Sequence, residues 1–375
     1  MSDDARLQPG IHHRTGEKPP AAYRALLLDV APAATPMAVR EALATLYHVP
    51  TELARDKELH DGLAALVGYG RRLFDDSVHD PPLTRAARPD HLAYLDQRHN
   101  AFPPFRWART PAANRGESDV VIQLTGPHDA SVSCGVAELV AAVTEQGLPL
   151  EAVAVFAAFG RPDGRGWLGF HDGVSNLEAS RRPAAIVSSG DPRWLAGGTT
   201  MALLRLAIDL RTWRGLTRAE QELLVGRDRD TGAPLIGLDA DGTPLSRPSR
   251  DPETDRLAFA DPPETTVPAI ERSHVHRANQ SRASPDAPAA LRIFRQGYDY
   301  LETTESGPLV TGLNFVSFQA DLATIVHLLH APGWLGDVNF GGEPDEAPAF
   351  IALADGGLYV VPPHDDPFPG AGLFG

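Results

Sequence analysis

Along the chain, short apolar runs are followed by stretches whose apolar residues recur every three or four positions, the spacing of one face of a helix. Ala25 to Val30 reads as a strand. Thr35-Pro36 then supplies a helix cap and a first-turn proline ahead of Val39, Ala42, Leu43 and Leu46 on one face. Val120 to Leu124 is the next clear strand, with Asp129 or Ser131 as cap and Val132, Val136, Leu139, Val140 and Val143 at helical spacing behind it. Met201 to Leu210 is strand-like, and Thr217-Arg218-Ala219-Glu220 is a capping box opening a helix through Leu223, Leu224 and Val225. Last, Leu313 to Phe318 runs into Asp321 and the face Leu322, Ile325, Val326 and Leu329. Four strand-then-helix units, in two pairs, predict a duplicated α+β domain rather than one continuous parallel sheet. The stretch Ser180 to Asp191, rich in Arg, Pro, Ser and Ala, is the natural boundary. Ser77 to Asn114 and Asp239 to Thr266 are proline-rich and say least.

Between the two pairs lies Trp167-Leu168-Gly169-Phe170-His171-Asp172-Gly173-Val174-Ser175-Asn176, which sets an acid beside a histidine and between two glycines. Glycine permits backbone angles closed to other residues and lets a flat ligand come close, which would put Asp172 on a tight corner. Asp-Gly is also the commonest turn dipeptide, so this stretch alone is an ordinary turn.

The totals narrow the classes of function. With 375 residues, 42% hydrophobic and 22% charged, the chain can bury an ample core. A net charge of -15, from 34 basic and 49 acidic residues, argues against binding nucleic acid or an anionic membrane, both of which call for a basic face. No run is long enough for a transmembrane helix. Met1 to Pro20 is polar, without an apolar signal core or a twin-arginine pair, which predicts a cytoplasmic protein. The single cysteine, Cys134, excludes an internal disulfide and is expected to be a small buried residue.

About a hundred residues after the glycine corner come Ser273-His274-Val275-His276-Arg277-Ala278-Asn279 and Leu291-Arg292-Ile293-Phe294-Arg295-Gln296-Gly297-Tyr298-Asp299-Tyr300. With these, the sequence resembles the dye-decolourising (DyP-type) haem peroxidases. Their signatures are a Gly-x-x-Asp-Gly turn, a histidine in a Ser-His-Ile/Val-x-x-Ala-Asn setting, and an Arg-Ile-x-Arg-x-Gly-x-x-Tyr run. All three occur here in that order, and weaker likenesses extend from about Tyr23 to the end, including Leu66 to Phe74, Leu210 to Leu235 and Leu358 to Pro363. The resemblance implies two ferredoxin-like halves, with antiparallel sheets packed together and helices outside, of the dimeric alpha-beta barrel type. The divisions implied are a polar tail over 1–20, an N-terminal half over 21–185 carrying the corner, and a C-terminal half over 186–375 carrying the haem ligand.

It further implies heme b, hydrogen peroxide as oxidant and a small or bulky organic electron donor oxidised through a ferryl intermediate. A homo-oligomer is compatible with this. A peroxidase needs an axial imidazole on one face of the iron, and on the other a proton carrier and a cation. On the family's motifs His274 is the iron ligand, Asp172 the distal acid-base group and Arg295 the distal cation. His276 competes with His274, because alternation along an extended segment would put both on one side; it stands where the family usually has arginine. His276, Arg277, Arg292 and Gly173 are expected around the haem, with Leu313 and Phe315 lining its pocket. Asp321 is a candidate hydrogen-bond partner for the ligand imidazole, with helix capping as an equal explanation. His171 is expected to point away from Asp172. Bulky donors would draw on a surface aromatic, and Trp107, Trp167, Trp194, Trp213, Trp334, Tyr298 and Tyr300 are available. Two other readings are a haem-binding carrier or iron-handling protein with little turnover, and a non-haem metal enzyme using Asp172 and the histidines.

Overall fold

The computed structural model describes residues 6–95, 105–174, 176–248, 265–278, 292–303, 309–330, 350–365 and 367–374. Ten strands run along it: β1 (Ala22–Val30), β2 (Ala64–Gly70), β3 (Val120–Gly126), β4 (Leu150–Phe159), β5 (Thr199–Ile208), β6 (Leu235–Leu238), β7 (Pro244–Ser246), β8 (Phe294–Thr303), β9 (Leu309–Gln319) and β10 (Ile351–Val361). All but the small β6–β7 pair form one closed barrel in the order β1-β3-β2-β10-β5-β9-β8-β4, every ladder antiparallel. Strands β1 to β4 stand in the order β4-β1-β3-β2. Strands β5, β8, β9 and β10, numbered from their own first member, repeat it. That is the ferredoxin-like arrangement, present twice. The two sheets meet at both edges, through Phe159↔Asp299 and through Tyr359↔Gly70 and Val360↔Tyr69.

Alternation along each strand sends one set of side chains into the barrel and the other outward. The inward set includes Tyr23, Leu27, Phe156, Val316, Phe318 and Tyr359, with Tyr23 and Tyr298 stacked at 4.5 Å. Arg205 is buried there, held by Asn314 Oδ1 at 2.6 Å and Glu302 Oε2 at 2.7 Å, its guanidinium 3.6 Å from the Tyr300 ring centre. Tyr298, Tyr300 and, in the outer layer, Trp213 are buried, so none of them is the surface aromatic sought above.

The outward set of the first half is covered by α1 (Pro36–Leu53) and α2 (Asp129–Glu145). Thr35 caps α1 by accepting from the Ala38 amide at 3.2 Å, with Pro36 in its first turn. Neither Asp129 nor Ser131 caps α2, which starts at Asp129. Asp129 is drawn to Arg24 at 2.6 Å, and buried Ser131 meets His60 Nδ1 at 3.0 Å. Cys134 is exposed, against expectation. The buried stripe of α2 runs through Val132, Gly135, Val136, Leu139 and Val143, and Cys134 falls off it. The segment read as a polar tail is structural from Arg6 onward. Leu7 and Ile11 are buried with the barrel interior, and Gln8 exchanges hydrogen bonds with the Val67 backbone (2.7 and 3.0 Å) while also donating to the Pro362 carbonyl.

The second half places a long excursion after β5, where the first half has α1 and the one-turn helix Lys57–His60. It holds α3 (Leu210–Gly215), α4 (Arg218–Val225) and a one-turn helix α5 (His274–Arg277); α6 (Leu322–Leu329) follows β9. Thr217 and Glu220 form the expected reciprocal capping box of α4.

Candidate active site

The outer face of β8, β9 and β5 is the floor of a cavity of about 460 Å3, within the roughly 300–1,000 Å3 of small-molecule sites. From β8 the floor takes Arg295, Gly297 and Asp299, alternate residues on one face. Phe315 stands opposite Gly297 and Leu313 opposite Asp299 on β9, and Leu206 and Ile208 continue the apolar surface on β5. Both pocket-lining expectations, Leu313 and Phe315, fall on this wall. The roof is the loop leaving β4 at Phe159, together with α4 and α5.

That loop folds back on itself. The Gly169 amide donates to Gly166 O at 2.9 Å and the Asp172 amide to Gly164 O at 2.9 Å. Gly169 and Gly173 have φ of 84° and 78°, the left-handed region where glycine is favoured. Asp172 Oδ1 accepts from the Gly173 amide at 2.7 Å, and Oδ2 lies in the space that a side chain on Gly297 would fill. The glycine of β8 is therefore what admits the carboxylate. Arg295 Nη2 stands 3.9 Å from Asp172 Oδ1, with side-chain exposures of 28% and 46%. Asn176, at the end of the same loop, brackets the Arg295 backbone, donating to its carbonyl at 2.7 Å and accepting from its amide at 3.2 Å. Nothing in a single sequence announces that clamp, because its two partners lie 119 residues apart.

His274 reaches the same cavity as the first residue of α5 and lines its wall. Its turn is seated on Gly226, which closes α4 with φ 91°; a side chain there would collide with Ser273 and Val275. Burial, then Arg295 and Arg227, push the imidazole down to about 3, so it is neutral and offers a lone pair to a metal. Arg227, itself lowered to about 9 by burial and by Arg295, and Arg292 join Arg295 on the wall. The apolar surface of Leu206, Ile208, Leu313 and Phe315, a neutral imidazole and the guanidiniums of Arg227, Arg292 and Arg295 suit a flat apolar macrocycle with iron at its centre and carboxylates at its rim. The residues present fit heme b.

Other expected site residues fall elsewhere. The His274 segment is a helical turn, not extended, so His276 does not share its side; it is buried away from the cavity wall. Arg277 is also off the wall, its Nε donating to Arg272 O at 3.0 Å. Asp321 caps α6 by accepting from the Ala323 amide at 2.7 Å and is not part of the wall. His171 lies on the wall, with Nε2 2.9 Å from Arg165 Nη2. Ser175, Asn279, Leu291 and Trp334 lie outside the described residues. Among the described residues no three His, Cys, Asp or Glu gather as a metal cluster, and no helix is long and apolar enough to cross a membrane.

Apart from its own chain neighbours, nothing lies within 4 Å of where a side chain on Gly173 would start, so its replacement tests chiefly backbone strain. Gly173→Val is expected to cost about 1–3 kcal/mol of stability, the usual range for a strained backbone position. Thermal unfolding is the measurement, and a midpoint equal to that of the parent protein would show the corner to be unstrained.

Comparison with known proteins matches residues 163–366 to the family model of the Dyp-type peroxidase C-terminal region. Curated relatives include deferrochelatases of Escherichia coli K12 and Shigella flexneri, each 32% identical over 162 residues, or 41% of this chain. The alignment covers 34% of those relatives, so the match spans about a third of their length. Among solved structures, ferric DtpA from Streptomyces lividans superposes with a TM-score of 0.71 at 20% identity, covering 98% of this chain and 95% of that one. A DyP-type peroxidase from Cellulomonas bogoriensis gives 0.68 at 24%, covering 98% and 99%. DypB from Rhodococcus jostii gives 0.63 at 19%, covering 95% of each.

Proposed function

Since this chain belongs to the Dyp-type peroxidase family, we propose that it binds heme b in the cavity described above and reduces hydrogen peroxide there at the expense of an organic electron donor. One observation carries this reading: Asp172, about a hundred residues before the other two, lines a single cavity with His274 and Arg295. When bound, haem supplies the iron and the electrons that cleave the O–O bond. The protein's part is positional and electrostatic. His274 would hold the iron from one side, while Arg227 and Arg292 supply positive charge for the haem's carboxylates. Asp172, fixed by the Gly173 amide, takes a proton from one peroxide oxygen and returns it to the other. Arg295, held in place by Asn176, stabilises the negative charge that builds on the departing oxygen. We also propose that the two ferredoxin-like halves meet near residue 185, between the end of β4 and the start of β5. The corner from the first half would then close over the ligand of the second.

A carrier or iron-handling protein needs the imidazole and the apolar floor, but not a carboxylate 3.9 Å from a guanidinium in the same cavity. The two readings part on a simple experiment. The purified, haem-reconstituted protein is expected to show a Soret band at one haem per chain, and to consume peroxide in proportion to added phenolic or dye donor. A Soret band without donor-dependent consumption of peroxide gives the carrier. Absence of the band after reconstitution removes both.

A further inference from the structure

Reduction of hydrogen peroxide to two waters takes up two protons along with two electrons, so the distal face must be resupplied from solvent. Asp172 shuttles a proton between the two oxygens and does not by itself provide that supply. Beyond Gly297 on the same face of β8 stands a second carboxylate, Asp299, which the activity described so far does not use. It is 4% exposed and lies on the cavity wall, and neither of its oxygens closes a hydrogen bond among the described residues. Arg295, Gly297 and Asp299 thus form a row of cation, gap and acid, and Asp172 sits over the gap.

We propose that Asp299 is a proton reservoir for Asp172, taking protons from solvent at the cavity rim and passing them to the distal acid between turnovers. This rests on Asp172 being that acid. The groups around Asp299 suit the role. Leu313 on β9 and Phe159 on β4 stand opposite it and are apolar, and Gly166 leaves room beside it, a side chain there starting 3.6 Å from Oδ1. Its charged neighbours are Asp172 and the rim pair Arg161–Asp163 of the loop, the pair joined at 2.6 Å with Asp163 exposed, and Arg295, on the same face of β8. Burial pushes the Asp299 carboxyl up to about 7; the Trp167 amide, outside hydrogen-bond geometry, and Arg161 oppose the rise, while Asp172 and Asp163 add to it. A group half-protonated near neutrality both accepts and releases protons in the working range.

Infrared difference spectra of the haem-loaded protein between pH 5 and pH 9 test this without turnover. A protonated carboxyl band is expected to titrate near pH 7, to vanish in Asp299→Asn, and to titrate at lower pH in Asp172→Asn, where a neighbouring negative charge is gone. In turnover, kcat of the parent should fall as pH rises through about 7, and Asp299→Asn should lose that inflection. Its kcat should drop on the order of tenfold, less than the hundred- to ten-thousand-fold typical of a group that handles the reacting proton directly. Asp299→Glu should restore a titrating band and an inflection, which separates proton supply from a purely structural role. A parent without a titrating carboxyl in this range overturns the proposal whatever the variants do. An Asp299→Asn protein that keeps both the band and the pH profile of the parent overturns it as well, while leaving the peroxidase reading intact. A parent with the band, its shift in Asp172→Asn and no peroxidase activity overturns the peroxidase reading instead, and with it this role for Asp299.

Discussion

Haem-loaded Arg295→Leu protein is expected to react with hydrogen peroxide several hundred-fold more slowly than the parent, toward the top of the hundred- to thousand-fold range for losing one charge-stabilising donor. Asp172→Asn should lose about a hundredfold, the lower end of the hundred- to ten-thousand-fold range for an acid-base group. The order follows from exposure. The Asp172 side chain is 46% open, so water can reach the same place and carry a proton, whereas nothing replaces the guanidinium charge. The two losses should not add in the double variant, because both groups act in one step and stand 3.9 Å apart. Stopped-flow absorbance after mixing with peroxide measures all three. If both single variants, with full haem, react as fast as the parent, the distal assignment is wrong.

The other large effect concerns the cofactor. His274→Ala is expected to leave a folded protein that retains little or no haem, read as the ratio of Soret to protein absorbance. His276→Ala should keep its haem, since His276 lies off the cavity wall. This pair of variants converts the difference between a helical turn and an extended segment into a measurement. A His274→Ala protein with the Soret band and haem content of the parent would move the ligand elsewhere.

Elements that carry their own punctuation were legible in the sequence. Thr35-Pro36 and Thr217-Arg218-Ala219-Glu220 mark helix starts because capping is a local interaction, and the strands just before helices stood out against them. Of the remaining strands, β2 and the end of β10 were reached only through the likenesses of Leu66 to Phe74 and Leu358 to Pro363, and the rest of β10 and β4 did not stand out. Among the described residues no helix covers Val153, Val155 and Phe159 on the outer face of β4, so apolar residues stand on both faces and the sequence shows no apolar–polar alternation. β10 contains Asp355-Gly356-Gly357, which reads locally as a turn. Here Asp355 is buried and held by Arg109 at 2.6 Å and Arg115 at 3.1 Å, Gly357 lets Gly116 come close, and Gly116, itself without a side chain, packs on Gly356. In the site, His274, Asp172 and Arg295 were reached through motifs. Asn176, Gly226 and Asp299 were not, because each acquires its role from partners set by strand register and loop path. Asp321 was available to two explanations, and the nearer one, capping its own helix, is what the chain uses.

The closed barrel also bears on how the chain is made. The first four strands, once synthesised, form a sheet whose outer members are β4 and β2, and both present unpaired backbone groups. The partner of β2 is β10, and Tyr359↔Gly70 joins residues 289 positions apart. Open strand edges of this kind invite pairing with other chains, and such distant pairings form slowly. The nascent first half therefore keeps an open, sticky edge until β10 has been made. Stalled translation or a frameshift anywhere beyond β4 yields a fragment prone to aggregate, and the full-length protein gains from chaperone shielding during synthesis.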